Sequence, residues 1–317
     1  MRAARITTPG EPPSVSSAPS PEPGPDEVLV EVRAAPITPL DLLCATGKSY
    51  FGRPATPYVP GVQGVGVTGG RTVWFPTSAG MKPGDGSMAE LAVARADEVV
   101  ELPAGADPVA VGALGLSAVA AYLALTWRGE LAAGEQVIVL GAGGVVGQAA
   151  VQLARTAGAR RVVAGARSAA AQARAAKAGA DAVVPLDTDD VGTLASRFED
   201  ALDGPADLVL DPLFGPAAAA AARVLRVGGR LVNLGSSASE TCPIDSSTLR
   251  SKSLRLLGYT NTELTPERRT SAIVKVAAEA VAGRLAVAHE TVPLADVAAA
   301  WRRQASGEAS GRIVLAP

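Results

Sequence analysis

The central part of the chain alternates between short apolar runs and stretches in which apolar residues recur at helical spacing. Between residues 137 and 258 the apolar runs are VIVL, RVVAGA, AVV, DLVLD, RLVNLG and LRLLG. Strands that alternate with helices at this spacing predict a parallel, doubly wound sheet.

The flanking parts of the chain show strand-like runs, many Gly and Pro residues, and little helical spacing. Residues 28–32, VLVEV, alternate apolar and charged positions as a half-buried strand does. Helical spacing is confined to residues 108–127 and 266–283. Further strand-like runs are RTVWF, MAELAVA and EVVELP, followed near the end by residues 286–292 and 312–315. These parts therefore predict a β-rich domain.

Length and composition fit two globular domains. The chain has 317 residues, of which 48% are hydrophobic and 19% are charged, as in folded proteins. The change of pattern places an α/β domain at residues 114–258. It is inserted between residues 1–113 and 259–317, which together form the β-rich domain.

A glycine-rich turn connects the first apolar run of the α/β domain to a helical stretch. Residues 136–158 read QVIVLGAGGVVGQAAVQLARTAG, with Gly141, Gly144 and Gly147 in the turn. A strand that turns through glycines into a helix offers free backbone N–H groups and the positive end of the helix dipole to an anion. The glycines also allow a pyrophosphate to approach and the helix to pack closely. The turn predicts dinucleotide binding; the alternative is an ordinary strand–helix turn rich in small residues.

Net charge, apolar runs and cysteine content indicate which partners and which cellular compartment to expect. The net charge of −2 gives no sign of binding to nucleic acid or to an acidic membrane surface. The N-terminal segment has no apolar signal core, and no apolar run approaches the length of a membrane span. Cys44 and Cys242 do not make a disulfide framework, so we expect a cytoplasmic protein without membrane contact.

The chain has few histidine and cysteine residues, the types that bind zinc or activate a nucleophile. His289 is the only histidine, in the strand-like AVAHETVPL, and neither Cys44 nor Cys242 has a ligand-type neighbour. Zinc sites need a set of ligands at defined spacing, and a Ser–His–Asp mechanism needs a histidine beside the nucleophile. We therefore expect no metal, a surface or edge-strand position for His289, and a buried apolar role for Cys44.

The whole chain resembles the medium-chain dehydrogenase/reductase superfamily, in particular its zinc-independent quinone oxidoreductase and enoyl reductase branches. The segments that carry the resemblance are EVLVEVRAAPITPLDLLCATGKSY, RPATPYVPGVQGVG, GSMAELAVA, GLSAVAAYLAL, GAGGVVGQAAVQLARTAGA, DLVLDPLFG, GGRLVNLG and SGRIVL. The resemblance implies an α/β fold in which a Rossmann doubly wound parallel sheet is inserted in a GroES-like β-rich catalytic domain. It also implies NADPH-dependent reduction of a quinone or of the C=C bond of an α,β-unsaturated carbonyl.

The chain departs from the zinc-dependent members of that superfamily at each metal ligand. Their Gly–His–Glu motif is replaced here by residues 60–64, PGVQG, and their four-cysteine lobe is missing. Without a Lewis acid, alcohol oxidation would lose its usual means of stabilising an alkoxide. Reduction of a conjugated C=C bond or a quinone needs only hydride, hydrogen-bond donors and a proton.

Three residues of the first domain are implied to be catalytic by the resemblance. Tyr50 aligns with a tyrosine that enoyl reductases of this branch use as proton donor or substrate anchor. A tyrosine has an ordinary pKa near about 10, so it can supply a proton at neutral pH. Thr38 and Asp41 belong to TPLD, where the family has Asn–Pro–x–Asp. Thr38 can donate one hydrogen bond, and Asp41 either orients the loop that carries Tyr50 or caps a helix.

Cofactor preference is predicted from the end of the second strand of the α/β domain. NAD-binding sites usually place a carboxylate there, but no Asp or Glu occurs between Arg160 and Gly179. Arg167 and Ser168 instead offer a guanidinium fork and a hydroxyl to a 2′-phosphate, with Arg174 as a second cation. The lysine that many relatives carry a little further on is Ala171 here. We therefore predict NADPH.

The remaining cofactor-binding residues lie in the glycine turn and at the ends of two later strands, where open α/β sheets bind ligands. The predicted set is Gly141, Gly143, Gly144, Val145, Val146, Gly147, Leu213, Phe214, Asn233, Gly235 and Ser236. The resemblance places the loop at Gly235 beside the nicotinamide, whereas Phe214 could equally be a packing residue.

Other interpretations stay open at this point. The family commonly forms homodimers through the edge of the nucleotide domain, and the apolar strand at residues 254–258 could supply that edge. Thr38 and the short segment at residues 66–76 favour a specialised substrate. The alternatives are therefore a biosynthetic tailoring reductase or cyclase of a complex metabolite, and a cofactor-binding protein without redox turnover.

Overall fold

The computed structural model describes residues 1–49 and 51–317, which form two compact units. The first unit comprises Met1–Gly115, Thr265–Gly283 and Val287–Pro317. The second comprises Leu116–Leu264 and Arg284–Ala286.

Between residues 137 and 258 strands and helices alternate as the hydrophobic pattern predicts, and further elements occur on both sides. The strands are β1 (Arg2–Arg5), β2 (Ser14–Ser17), β3 (Glu27–Pro36), β4 (Gln63–Thr68), β5 (Arg71–Pro76), β6 (Leu91–Arg95), β7 (Val100–Glu101), β8 (Gln136–Val139), β9 (Arg161–Ala166), β10 (Ala182–Pro185), β11 (Ala206–Asp211), β12 (Leu225–Asn233), β13 (Arg255–Gly258), β14 (His289–Pro293) and β15 (Arg312–Ala316). The helices are α1 (Pro39–Ala45), α2 (Pro108–Leu123), α3 (Val145–Thr156), α4 (Ala169–Lys177), α5 (Val191–Ala201), α6 (Gly215–Arg223), α7 (Ser246–Ser251), α8 (Pro266–Val281) and α9 (Val297–Ser306).

The first unit is built on a mixed sheet with strand order β14-β15-β3-β4-β5-β7, to which β6 adds by pairing with β3. The pairs are antiparallel except β14 with β15. The alternation predicted for residues 28–32 is confirmed, because buried and solvent-facing positions alternate along most of β3. Phe75, Met88, Trp301 and Ile313 belong to the apolar core on this sheet.

The second unit carries a parallel sheet with strand order β10-β9-β8-β11-β12-β13. This is the Rossmann order, in which two halves diverge from the central pair of strands. All four positions of β8 are buried, as expected for a parallel strand covered on both faces. The order brings the carboxyl ends of β8, β9, β11 and β12 to one edge of the sheet, which positions the candidate site.

One expectation about membrane spans is wrong. Pro108–Arg128 is long and apolar enough to cross a bilayer by length and composition. The most apolar window of this segment is 67% buried inside the protein, as in a core helix. Its regularity also breaks at Gly115, which has φ of 36° and ψ of −139°. A bilayer offers no partner to backbone groups released at such a break.

The boundaries of the units differ from the predicted domain limits by a few residues. The first change of unit falls after Gly115, where α2 loses helical geometry, rather than at residue 114. Residues 259–264 belong to the second unit because the N–H of Tyr259 donates to Asn233 O (2.9 Å), continuing the edge of the sheet.

Candidate functional site

The glycine turn of the second unit leaves the start of α3 open. β8 ends at Val139, and the turn closes with a hydrogen bond from Gly144 N–H to Gly141 O (3.0 Å). Gly144 is the N-cap residue of α3, and no described side chain caps this helix. The first-turn N–H groups of Val145, Val146 and Gly147 are therefore oriented for an anion, as helix N-termini are.

The turn is packed so tightly that two of its glycines cannot carry a side chain. A Cβ on Gly143 would lie 2.3 Å from the Cβ of Ala171, and one on Gly147 would lie 2.4 Å from the Cα of Ala142. Gly144 is exposed, and a Cβ there would meet only Gly141 O at 3.4 Å. A bare backbone over an uncapped helix is the cradle that a pyrophosphate needs, so these residues fit a dinucleotide.

Arg174 lies against the glycine turn, and the structure gives it a contact that sequence reasoning missed. Its Nε donates to Gly143 O (2.9 Å), and Gln148 Nε2 donates to the same oxygen (3.0 Å). Gly143 O is thereby held toward α4 and the side chain of Gln148. The sequence offered no signal for this bond, because Arg174 lies 31 residues further along the chain.

Arg167 and Ser168 lie where the sequence predicted, at the end of β9. Arg167 is exposed, and in residues 1–49 and 51–317 no hydrogen bond or ion pair engages its guanidinium. Ser168 caps α4, since its hydroxyl oxygen accepts from Ala171 N–H (3.2 Å). The hydroxyl hydrogen of Ser168 is not used by that bond, so both side chains can contact an anion.

Asp211, which the sequence analysis did not single out, organises the loops after β11 and β12. Its Oδ1 accepts from the N–H groups of Leu213 and Phe214, both at 2.9 Å. Asn233 Nδ2 donates to Asp211 Oδ2 (3.0 Å) and to Gly235 O (2.8 Å). Burial raises the pKa of Asp211. The available signal was a single acidic residue that ends the buried run DLVLD at the carboxyl edge of the sheet.

The loops after β8, β11 and β12 contact one another. A Cβ on Gly141 would lie 3.0 Å from Leu213 Cδ2, and one on Gly235 would lie 2.9 Å from Pro212 O. Ser236, which is exposed, donates from its hydroxyl to Glu240 Oε1 (2.6 Å). The predicted cofactor-binding residues of these three loops are therefore brought together at one edge of the sheet.

In the first unit Thr38 and Asp41 are bonded to each other at the start of α1. The two residues form a capping box, in which Thr38 N–H and Thr38 Oγ1 donate to Asp41 Oδ2 (2.8 and 2.6 Å). Asp41 Oδ1 accepts from Gly61 N–H (3.1 Å) and Val62 N–H (2.8 Å). Burial raises the pKa of Asp41 against the opposing effect of these bonds. Of the two roles left open for Asp41, the capping role is the one its contacts support.

Tyr50, the predicted proton donor, lies outside the described residues. Thr38, another residue predicted to be catalytic, donates its hydroxyl hydrogen to Asp41. Thr38 could therefore donate to a substrate only by giving up that bond.

The described residues do not fit a zinc ion. No group of three or more His, Cys, Asp or Glu side chains suited to a metal occurs in the described part of the chain. Cys44 is buried, as predicted, and burial raises its pKa to about 11, which disfavours the thiolate that binds zinc. His289 is exposed on the edge strand β14, also as predicted.

The chain matches one family model and shares sequence similarity with several known proteins. Residues 145–278 match the family model described as zinc-binding dehydrogenase. Over 167 residues the chain is 35% identical to the quinone oxidoreductase of Lama guanicoe, covering 49% of each protein. Over 226 residues it is 29% identical to a mycocerosic acid synthase-like polyketide synthase of Mycolicibacterium smegmatis, covering 67% of this chain and 10% of that protein. The chain thus spans about half the length of the curated quinone oxidoreductase.

The solved structure of the quinone oxidoreductase from Thermus thermophilus, also determined in complex with NADPH, is similar over its whole length. It shares 29% identity and a TM-score of 0.79, with 100% of both chains covered. Together with the strand order of the second unit, this similarity confirms the predicted fold class, a Rossmann sheet inserted in a GroES-like β-rich domain.

Proposed function

Because the chain belongs to the medium-chain dehydrogenase/reductase superfamily, on its quinone oxidoreductase branch, we propose that it is an NADPH-dependent, zinc-independent reductase. Its substrate is a quinone or the C=C bond of an α,β-unsaturated carbonyl. The observation that carries this proposal is the tight, uncapped glycine turn, followed at the end of β9 by an exposed arginine in place of a carboxylate.

The roles of the residues follow from their chemistry. NADPH, when bound, supplies the hydride. The N–H groups of Val145, Val146 and Gly147 hold the pyrophosphate, while Arg167 and Ser168 hold the 2′-phosphate. Tyr50 supplies the proton, and the Thr38–Asp41 pair holds the start of α1 to the backbone at Gly61. Donors to the carbonyl oxygen, rather than a metal, stabilise the charge that develops there.

The test is NADPH oxidation with a panel of quinones and simple enones, in the presence and absence of a metal chelator. We expect turnover with at least one class and no effect of the chelator. Loss of activity with chelator would overturn zinc independence. Tight NADPH binding without turnover of any panel member would overturn the proposed general reductase activity.

A specialised tailoring enzyme is the second candidate, and the similarity to a polyketide synthase favours it over pure cofactor binding. Such an enzyme would reduce or rearrange one elaborate metabolite and leave simple quinones untouched. A panel that extends from small enones to polyketide-like thioester enones separates the two candidates, because only the tailoring enzyme requires the larger substrate.

Arg167→Ala is expected to weaken NADPH binding about ten- to a hundredfold, the size of one lost charge-assisted contact. NADH binding should hardly change, because NADH lacks the 2′-phosphate. Fluorescence titration of the two nucleotides measures both values. An equal loss for NADH and NADPH would contradict the 2′-phosphate role of Arg167.

Arg174→Ala provides the comparison within the same region. Its Nε holds Gly143 O in the turn that would bind the pyrophosphate of either nucleotide. We therefore expect Arg174→Ala to weaken NADH and NADPH binding, in contrast to Arg167→Ala.

A homodimer is proposed through the β13 edge of the parallel sheet. β13 is the last strand in the order of this sheet, and its residue Leu256 is 47% exposed, so the outermost strand presents an apolar residue to solvent in the single chain. Soluble proteins usually cover such edges. Light scattering should give about twice the chain mass of 31.8 kDa. Leu256→Lys should give monomers and Val274→Lys, on α8, should not; a wild-type monomer at micromolar concentration would contradict the proposal.

The compartment proposed is the cytoplasm. Cys44 and Cys242 are free thiols, which agrees with a reducing environment.

A further inference from the structure

Phe214 has a backbone conformation that side chains rarely adopt. It has φ of 61° and ψ of −167°, a region populated almost only by glycine, and Gly215 follows with φ of 73°. Phe214 immediately precedes α6 and lies at the carboxyl edge of the parallel sheet. Strain of this kind persists only where the surrounding structure enforces it, and it is concentrated at ligand-binding segments.

The carboxylate of Asp211 is hydrogen-bonded to the backbone of this turn. One oxygen accepts from two consecutive N–H groups, Leu213 and Phe214, each at 2.9 Å. The second oxygen accepts from Asn233 Nδ2 at 3.0 Å. Asp211 is completely buried, so these bonds replace the water that a charged carboxylate would otherwise keep.

The turn held by Asp211 contacts both neighbouring loops. Leu213 and Pro212 face Gly141 of the glycine turn, where a Cβ would lie 3.0 and 3.2 Å from their side chains. Pro212 O accepts from Ser237 N–H (3.2 Å) and from the Ser237 hydroxyl (3.0 Å). A shift of the turn would therefore move the loops after β8 and β12 together.

We propose that Asp211 is a positioning residue, which holds residues 212–215 in a strained turn and thereby sets the relative positions of the three cofactor-binding loops. This inference rests on the dinucleotide binding of the proposed function. It assigns a role to a residue that would not contact the nucleotide itself. The observations that support it are the fully buried carboxylate of Asp211, the backbone conformation of Phe214 that is otherwise typical of glycine, and the contacts at Gly141 and Pro212.

Asp211→Asn tests the proposal with little change in volume. The amide presents an NH₂ group to Asn233 Nδ2, so one of the described bonds becomes a repulsion between donors. We expect NADPH and NADH to bind about tenfold or more weakly, as for loss of a hydrogen bond to a charged group. Fluorescence titration measures both affinities, and circular dichroism checks that the fold is kept. Unchanged affinities would overturn the proposal.

Two further variants separate positioning from a general loss of packing. Phe214→Gly and Phe214→Ala both remove the ring, but only glycine adopts a positive φ without cost. We compare the double variant Asp211→Asn/Phe214→Gly with the single variant Phe214→Gly. Their nucleotide affinities should agree within about threefold, because a glycine adopts the turn without the help of Asp211. Phe214→Ala should give no rescue. Equal behaviour of the glycine and alanine variants would overturn the proposal.

The same pair of variants remains informative if Asp211→Asn does not fold. In the otherwise unchanged chain, Phe214→Gly should melt about 2–4 °C above Phe214→Ala, the shift expected for relief of modest backbone strain in a domain of this size. Equal melting temperatures would show that residue 214 is not strained and would overturn the proposal. If the wild-type chain binds neither nucleotide, the proposed function fails, and the melting comparison still decides the structural part of the inference.

Discussion

Tyr50→Phe is expected to lower turnover of an enone by about 10²–10⁴-fold, the usual contribution of general acid catalysis. Hydride addition to an enone leaves an enolate, whose oxygen needs a donor and whose carbon needs a proton. The substitution keeps the aromatic ring and removes only the hydroxyl, so NADPH affinity should not change. The measurement is steady-state turnover of an enone together with NADPH titration.

Two comparisons make this result specific. A quinone should lose less activity than an enone, because the oxygens of its hydroquinone product can be protonated from water. Tyr58 is a tyrosine of the same unit that is buried in the apolar core, so Tyr58→Phe controls for loss of a hydroxyl without loss of a proton donor. If Tyr50→Phe leaves enone turnover intact, the proton comes from water or from the substrate.

Gly147→Ala is expected to weaken NADPH and NADH binding alike, by about 5- to 150-fold, and to lower the melting temperature. Its Cβ would lie 2.4 Å from Ala142 Cα and 2.5 Å from Gly141 O. Both are backbone atoms of the turn, so the turn or α3 must move. Overpacking of this kind costs about 1–3 kcal/mol. If this cost destabilises the conformation of the turn that binds the nucleotide, it weakens binding by about 5- to 150-fold.

Gly144→Ala is the matched control in the same turn. Gly144 has φ of −81°, which any residue adopts, and its Cβ would meet only Gly141 O at 3.4 Å. We expect this variant to keep its melting temperature and most of its nucleotide affinity. Equal nucleotide affinities for the Gly147→Ala variant and the wild-type chain would contradict the role given to close packing of the turn.

Long-range pairing explains most of what the hydrophobic pattern did not reveal in the first unit. β1 and β2 are four-residue strands that pair Arg2–Arg5 with Ser14–Ser17, and neither has the alternation that predicts a strand. α9, Val297–Ser306, also went unpredicted, although Val297, Ala300 and Trp301 form its buried face. Short elements of this kind are stabilised by their neighbours rather than by their own sequence.

Some features of the candidate site could be predicted from sequence, whereas others depend on long-range contacts. The glycine turn, Arg167 and Ser168 could be found from sequence, because each occupies a stated position in a strand–turn–helix order. The bonds of Asp211 to Asn233 and of Arg174 to Gly143 could not be found, because these partners lie 22 and 31 residues apart. Nothing in the local sequence around an aspartate or an arginine specifies a partner at such a separation.

The sequence by itself determined the alternation of strands and helices between residues 137 and 258, the parallel sheet and the glycine turn, because apolar spacing and glycine conformation act over a few residues. Only the tertiary structure decided the interruption of α2 at Gly115, the enforced turn at Phe214 and the capping role of Asp41. Local bonds to Thr38 and Asp211 contribute at two of these positions, but each position also involves a group from a distant part of the chain. Gly115 lies against Gln63, Asp41 accepts from Gly61 and Val62, and Asp211 ties the turn at Phe214 to Asn233. Burial makes their hydrogen bonds obligatory, and it is this requirement that sets the local backbone.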